Sequence, residues 1–267
     1  MSPRYASILC LSLAAAVADG SRASAASSTE CTVSQTCYCV DQDVKDAILT
    51  RVAEIRARIA EQRAQGKAVG YLSIPISTAA GGYLPINARV AMYTKERIEE
   101  RLGVASAWLV NTASSAVTLP PAARGADYML MWTKILEGDD GLGRDFDFVY
   151  FVGPADFARY FSLDGRGDLE KLEAYYDGLT KTDEELKKVD KRQFRNYYGL
   201  RASVTASLGS HDEWNIVRMI NEKRRHDAHK SEFGIARQVA MLFEGNALPP
   251  GPTETSTASG NSGRCPQ

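Results

Sequence analysis

Apolar residues recur at helical spacing over 42–65. Val44, Ile48, Val52, Ile55 and Ile59 are separated by Arg, Glu and Gln, which predicts an amphipathic helix ended by Gln65-Gly66-Lys67. A continuous apolar, β-branched run follows, "VGYLSIPIS" over 69–77, and reads as a strand that ends at Pro75. After Gly81-Gly82, "INARVAMYTKERIEERLG" (86–103) returns to helical spacing and closes on a glycine suited to a left-handed cap. "SAWLVNT" (106–112) is the next strand, "ADYMLMWTKILEG" (126–138) a mostly apolar helix, and "FDFVYFVGP" (146–154) the third strand. The loop "LPPAARG" and the Gly/Asp cluster "GDDGLGRD" punctuate them. Alternation of strand and helix requires parallel pairing with crossover connections and predicts a doubly wound α/β sheet.

From 155 onward the pattern is mostly helical: "ADFARYF", "DLEKLEAYYDGL", "TDEELKKV", "RQFRNYYGLRASVTASL" and "SHDEWNIVRMINEKRRH", the last with Ser210 and Glu213 at capping-box spacing. "SEFGIARQVAMLFEG" (231–245) places Phe233, Ala236, Val239, Ala240 and Phe243 on one helical face, so a helix is expected there too, with Glu232 in its first turn. Gly234 is at odds with that helix, where it costs about 1 kcal/mol relative to alanine. A low-complexity Ser/Thr/Gly/Pro tail ends the chain. The expected organisation is a signal peptide over 1–25, a cysteine-containing segment over 26–41, a single α/β domain over 42–248 with a helical insertion at about 155–230, and a flexible tail over 249–267.

Charge removes some functions. Net charge is −1 over 267 residues, so no global field recruits a nucleic-acid polymer or an anionic membrane. The N-terminal run "ILCLSLAAAVA" (8–18) is too short to span a bilayer. With small-residue patterns at Ala16-Val17-Ala18 and Ala23-Ser24-Ala25 behind it, it reads as a cleaved export signal, giving a periplasmic or secreted protein. Export leaves Cys31, Cys37, Cys39 and Cys265, an even set suited to disulfides. Of the three possible pairings, the one with a Cys37–Cys39 bridge is the least favoured because it closes a very tight ring; either of the others joins Cys265 to the Cys37/Cys39 pair and Cys31 to the remaining one.

Other candidate chemistry is thin. His211, His226 and His229 share one stretch, but 211 and 226 are about 22 Å apart on a continuous helix, so the three cannot hold one ion, and no metal site is assigned. "Gly-Ser-His-Asp" (209–212) has the residue types of a hydrolytic triad, yet neighbours on one helical turn cannot align as nucleophile, base and orienter. Gly81-Gly82 follows a strand and could offer backbone amides to an anion, but no dinucleotide fingerprint or phosphate-loop lysine accompanies it, so no cofactor is assigned. Ligands of doubly wound sheets bind outside the carboxyl ends of the strands, which singles out the loops at 77–83, 112–125 and 153–157.

"YLSIPIS" with its Gly-containing loop and following helix is similar to the opening of the nucleoside 2-deoxyribosyltransferase-like superfamily, typically Tyr-Leu-Ala-Gly-Pro-Ile; Tyr71, Leu72, Pro75 and Ile76 match, while Ile74 stands at the glycine. Glu232, Gly234 and Ala236 match that superfamily's Glu-x-Gly-x-Ala, although the Gly-Thr usual before the glutamate is replaced by "DAHKS". The resemblance covers about 69–154 and 231–248 and implies a flavodoxin-like fold with cleavage or transfer of an N-glycosidic bond. In it Glu232 is the nucleophile at a helix N-terminus, where free amides favour the anion, and Asp156, after the third strand, is the second acid by position. Tyr71, Ser73, Gly81, Gly82, Asn87 and Gly153 are the substrate-binding candidates. Two readings follow: an exported enzyme on a nucleoside or nucleotide, or a non-catalytic binding protein for a small molecule on the same fold.

Overall fold

The computed structural model describes residues 26–76, 81–229, 237–248 and 263–266. Its centre is a five-stranded sheet in the order β4(Ala107–Asn111)–β3(Ala68–Ser73)–β5(Phe148–Phe151)–β6(Ala240–Phe243)–β7(Asn246–Ala247). The first four strands are parallel and the short β7 returns antiparallel as a hairpin edge. This is the flavodoxin-like, doubly wound arrangement, with β3 central and successive connections leaving it in opposite directions.

Helices cover both faces. On one, α1(Lys45–Ala64), α3(Gly125–Glu137) and α7(Leu208–His229) pack side by side; on the other, α2(Leu84–Leu102) packs against β4 and α4(Pro154–Tyr160). α5(Asp168–Leu179) and α6(Lys191–Asn196) extend that second layer through Leu172, Tyr176, Phe194, Tyr197 and Tyr198. The sheet is buried on both sides, which is why β3 and β5 are continuous apolar runs rather than alternating ones. Ile48, Val52, Ile55 and Ile59, the stripe read from the sequence, are the buried residues of α1.

An N-terminal hairpin, β1(Ser27–Cys31) and β2(Cys37–Asp41), lies on α3. Three polar contacts fasten it: Tyr38 Oη to Thr133 Oγ1 at 2.7 Å, Thr32 Oγ1 donating to Glu137 at 2.9 Å, and the Asp41 amide donating to Asp127 at 3.0 Å. Cys31 pairs with Cys37 across the hairpin, and Cys39 with Cys265, so the chain's last described residues are tied to the same element. Of the two pairings the sequence left open, this is one.

Three sequence expectations are corrected. The helix over 231–245 is a strand at 240–243, paired in register with β5 from Phe148↔Ala240 to Phe151↔Phe243. "TDEELKKV" forms only a 3₁₀ turn at Leu186–Lys188. The capping box of Ser210 and Glu213 does not form: α7 starts two residues earlier, the Ser210 amide donates to Ser207 Oγ, and the Glu213 carboxylate turns to the sheet. Among the described residues no helix is long and apolar enough to cross a membrane. The 1–25 signal lies outside the described residues, as does nearly all of the tail.

Candidate functional site

α7 is the crossover that returns the chain from the carboxyl end of β5 to the amino end of β6. Just before it, the Val204 amide donates to Val152 O at 3.0 Å, fixing its start at the carboxyl ends. Farther along, Asn221 brackets Val239 with two hydrogen bonds of 2.8 and 2.9 Å and so sets the approach to β6.

Five residues after its start the helix delivers Glu213 to the sheet. The Tyr71 hydroxyl donates to Oε1 at 2.6 Å and the Ser73 hydroxyl to Oε2 at 2.5 Å. Tyr71 and Ser73 are two apart on β3 and therefore face the same side. Both are completely buried, and Glu213 is nearly so. The Tyr71 ring is held edge-on by Trp132 and Phe146, with centroids 5.6 and 5.7 Å away. Trp214, the next residue, packs against Phe151 at the end of β5, with ring centroids 4.7 Å apart and planes tilted by 43°. These contacts leave Glu213 little rotational freedom.

Burial pushes the Glu213 carboxyl up to about 7; the hydroxyls of Ser73 and Tyr71 work against that, and the neighbouring Asp212 charge adds to it. The Tyr71 hydroxyl is raised well above its ordinary value, by burial first and then by the Glu213 charge, so it remains a donor. The result is a carboxyl that changes protonation near neutrality, with two fixed donors, at the carboxyl end of the central strand. Such a group can act as an acid, a base or a nucleophile. At the same end the Asn111 Nδ2 and the Trp214 indole N–H have no hydrogen-bond partner among the described residues, while Asn111 Oδ1 accepts from the Ala113 amide.

Tyr71 and Ser73 are thus brought together, and the residue joining them is one that its spacing in the sequence marks only as a cap. No local motif marks Glu213 for this contact: its neighbours in the sequence read as an ordinary helix start. Glu232 lies outside the described residues, as do Gly234 and Ala236. The residues on either side of it, His229 at the end of α7 and Arg237 before β6, stand at the amino ends of the strands.

Asp156 is fully buried on the other face. Its Oδ1 accepts from Arg97 at 2.7 Å, from Tyr150 at 3.0 Å and from Arg159 at 3.0 Å, and its Oδ2 from the Gly153 amide at 3.2 Å. Tyr150 pairs in register with Leu72, not Tyr71, so Asp156 and Glu213 reach the sheet from opposite sides. Burial first, and then the Asp156 charge, raise the Tyr150 hydroxyl above its ordinary value, which keeps it a donor in this cluster.

The remaining candidates sit in packed positions. A Cβ on Gly81 (φ +102°) would lie 2.3 Å from the Gln193 backbone, so close approach of α6 requires the glycine. Gly82 is buried beside it. A Cβ on Gly153 would meet the Glu244 side chain at 2.4 Å, and Glu244 itself accepts from the Ala155 amide at 2.6 Å. Asn87 is buried and accepts from the Tyr198 hydroxyl at 2.8 Å. Among the described residues no cluster of three His, Cys, Asp or Glu side chains is arranged to hold a metal ion. No protein-family model, no curated protein and no solved structure matches the chain.

Proposed function

We propose that this protein cleaves or transfers the N-glycosidic bond of a nucleoside or nucleotide, with Glu213 rather than Glu232 as its carboxylate. One observation carries the reading: the Glu213 carboxylate is bonded to Tyr71 and Ser73, on the strand whose Tyr71-Leu72…Pro75-Ile76 resembles the superfamily's opening. In the reaction, ionised Glu213 attacks the anomeric carbon. The carbon–nitrogen bond breaks, its electron pair leaves on the base nitrogen, and that nitrogen takes a proton from water, whose hydroxide is neutralised by the proton released in the second step. Water, or a second base, then resolves the glycosyl ester. Tyr71 and Ser73 hold the carboxylate in place and favour its ionised form against burial. Asp156 is in this reading a fastener between α2, β5 and α4, not the second acid.

The test is release of free base from a panel of nucleosides and nucleotides, comparing wild type with Glu213→Gln and Glu232→Gln. Release that is abolished by the first change and kept by the second supports the proposal. Release unaffected by Glu213→Gln, or none from the folded wild type, overturns it. The non-catalytic binding protein is the second reading. It is favoured by the near-complete burial of Glu213 and by the buried Ile74, which occupies the place where the resembled pattern has a glycine. We also place the protein in an oxidising compartment, periplasmic or extracellular; the two disulfides support that.

A further inference from the structure

The opposite end of the sheet carries a second, chemically different feature. At the amino ends of β3, β5 and β6 lies a half-open cavity of about 320 Å³, lined by Arg63, Arg144, Arg224 and Arg237 with the carboxylates Asp147 and Asp227 and an apolar wall of Leu142 and Phe146. The arginines come from four separate stretches: the last turn of α1, the turn before β5, α7, and the approach to β6.

Among the described residues their internal contacts do not fully balance their charge. Asp147 serves two of them, Arg63 at 3.0 Å and Arg237 at 2.8 Å, and also accepts from the Val69 amide. Arg144 pairs with Asp140, outside the lining. Asp227 stands 3.7 Å from His226. Arg224 is the fixed point: its three nitrogens donate to the carbonyls of Leu142, Gly143 and Arg237 at 2.6 to 2.7 Å, contacts that orient the guanidinium but bring no negative charge. Burial first, and then the Arg144 charge, lower its affinity for its proton; Asp140 and Asp147 work against this and Arg237 adds to it. Four guanidiniums around one cavity repel each other; with Asp140, the partner of Arg144, counted beside the lining Asp147 and Asp227, three carboxylates face them, which leaves one positive charge in excess among the described residues.

We propose that this cavity binds a small organic phosphate monoester, its phosphoryl group among the arginines and its carbon skeleton against Leu142 and Phe146. A phosphate offers three acceptor oxygens and nearly two negative charges, which matches several planar donors better than a single carboxylate, satisfied by one guanidinium. The volume is at the small end for ligand cavities. The site lies at the opposite end of the sheet from Glu213 and does not include it, although its wall residue Phe146 also packs on Tyr71.

The probe is phenyl phosphate, titrated calorimetrically at low and high salt, with inorganic phosphate, phenol and succinate in parallel. Saturable binding of phenyl phosphate that weakens with salt, exceeds that of phosphate and succinate, and is absent for phenol supports the proposal. Arg144 and Arg237 have side chains 72% and 83% exposed, so Arg144→Gln and Arg237→Gln leave the fold intact. Each is expected to weaken binding about tenfold, the scale of one charge-assisted hydrogen bond. Glu213→Gln leaves this binding unchanged, even where base release fails. No saturable binding, equal binding of succinate, or affinity unmoved in the Arg144→Gln/Arg237→Gln double variant overturns the proposal.

Discussion

Replacing Glu213 by glutamine should stabilise the protein, and only above a definite pH. The carboxyl is raised from 4.5 to about 7 by burial, opposed in part by the two hydroxyl donors. A raised acid binds its proton more tightly folded than unfolded. Between pH 4.5 and 7 the folded state therefore holds more protons, and stability falls as pH rises through that window. Below it the protonated carboxyl incurs no charge burial. Above it the folded protein carries a buried anion. Each pH unit across the window removes about 1.4 kcal/mol, so the loss reaches about 3 kcal/mol. Glutamine has nearly the same shape, accepts one hydroxyl hydrogen bond through its Oε1, and never ionises.

The measurement is urea denaturation of wild type and Glu213→Gln at about pH 4 and about pH 8, on either side of the window. At the lower pH the two should differ by less than about 1 kcal/mol, the net value of one altered hydrogen bond. At the higher pH the variant should be more stable by roughly 2–3 kcal/mol. The same variant is the inactive one under the proposed function, so a gain in stability with loss of base release would mark a charge held at energetic cost for chemistry. A stability difference that does not change with pH, or that runs the other way, would refute the assignment of a buried, titrating carboxyl.

Other perturbations act on packing and covalent ties. Gly81→Ala combines a positive φ with a Cβ driven into the Gln193 backbone, and should cost about 3 kcal/mol, read as a lower denaturant midpoint. Asp156→Ala strips the carboxylate from Arg97 and Arg159 and leaves the largely buried Arg97 uncompensated; a loss of about 3–5 kcal/mol is expected in the same assay. Cys265→Ser opens a covalent loop spanning 226 residues, and loop-closure entropy puts the loss near about 5 kcal/mol, visible as a fall in Tm. Non-reduced mass spectrometry should show the mature chain four hydrogens lighter than after reduction, because both disulfides are formed.

The stripe of Ile48, Val52, Ile55 and Ile59 is a property of one helix, and the apolar runs of β3 and β5 are properties of strands buried on both faces, so both are legible from neighbouring residues alone. The alternation of these elements is enough for the doubly wound sheet. Residues 239–243 show where local reading stops. "VAMLF" has no period of its own that separates strand from helix, and the spacing of Phe233, Ala236, Ala240 and Phe243 favours a helix. The decision comes from β5, about 90 residues earlier, whose open edge β6 pairs along its full length. Ser210 and Glu213 fail in the same way. Their spacing is that of a cap, but the donors that claim Glu213 lie 140 and 142 residues away.

The β6 correction also bears on the choice between the two glutamates in the proposed chemistry. A helix over 231–245 would have put Glu232 in a first turn, where helix amides favour an anion. With β6 running parallel to β5, the described residues flanking Glu232 stand at the amino ends, beside the arginines of the cavity. Glu213 instead meets β3 at its carboxyl end, where doubly wound sheets bind their ligands. Comparing Glu213→Gln with Glu232→Gln is therefore a test of topology as much as of chemistry. If Glu232→Gln abolishes base release and Glu213→Gln spares it, the Glu-x-Gly-x-Ala match is the informative motif, and the buried triad of Tyr71, Ser73 and Glu213 is a structural lock between α7 and the sheet.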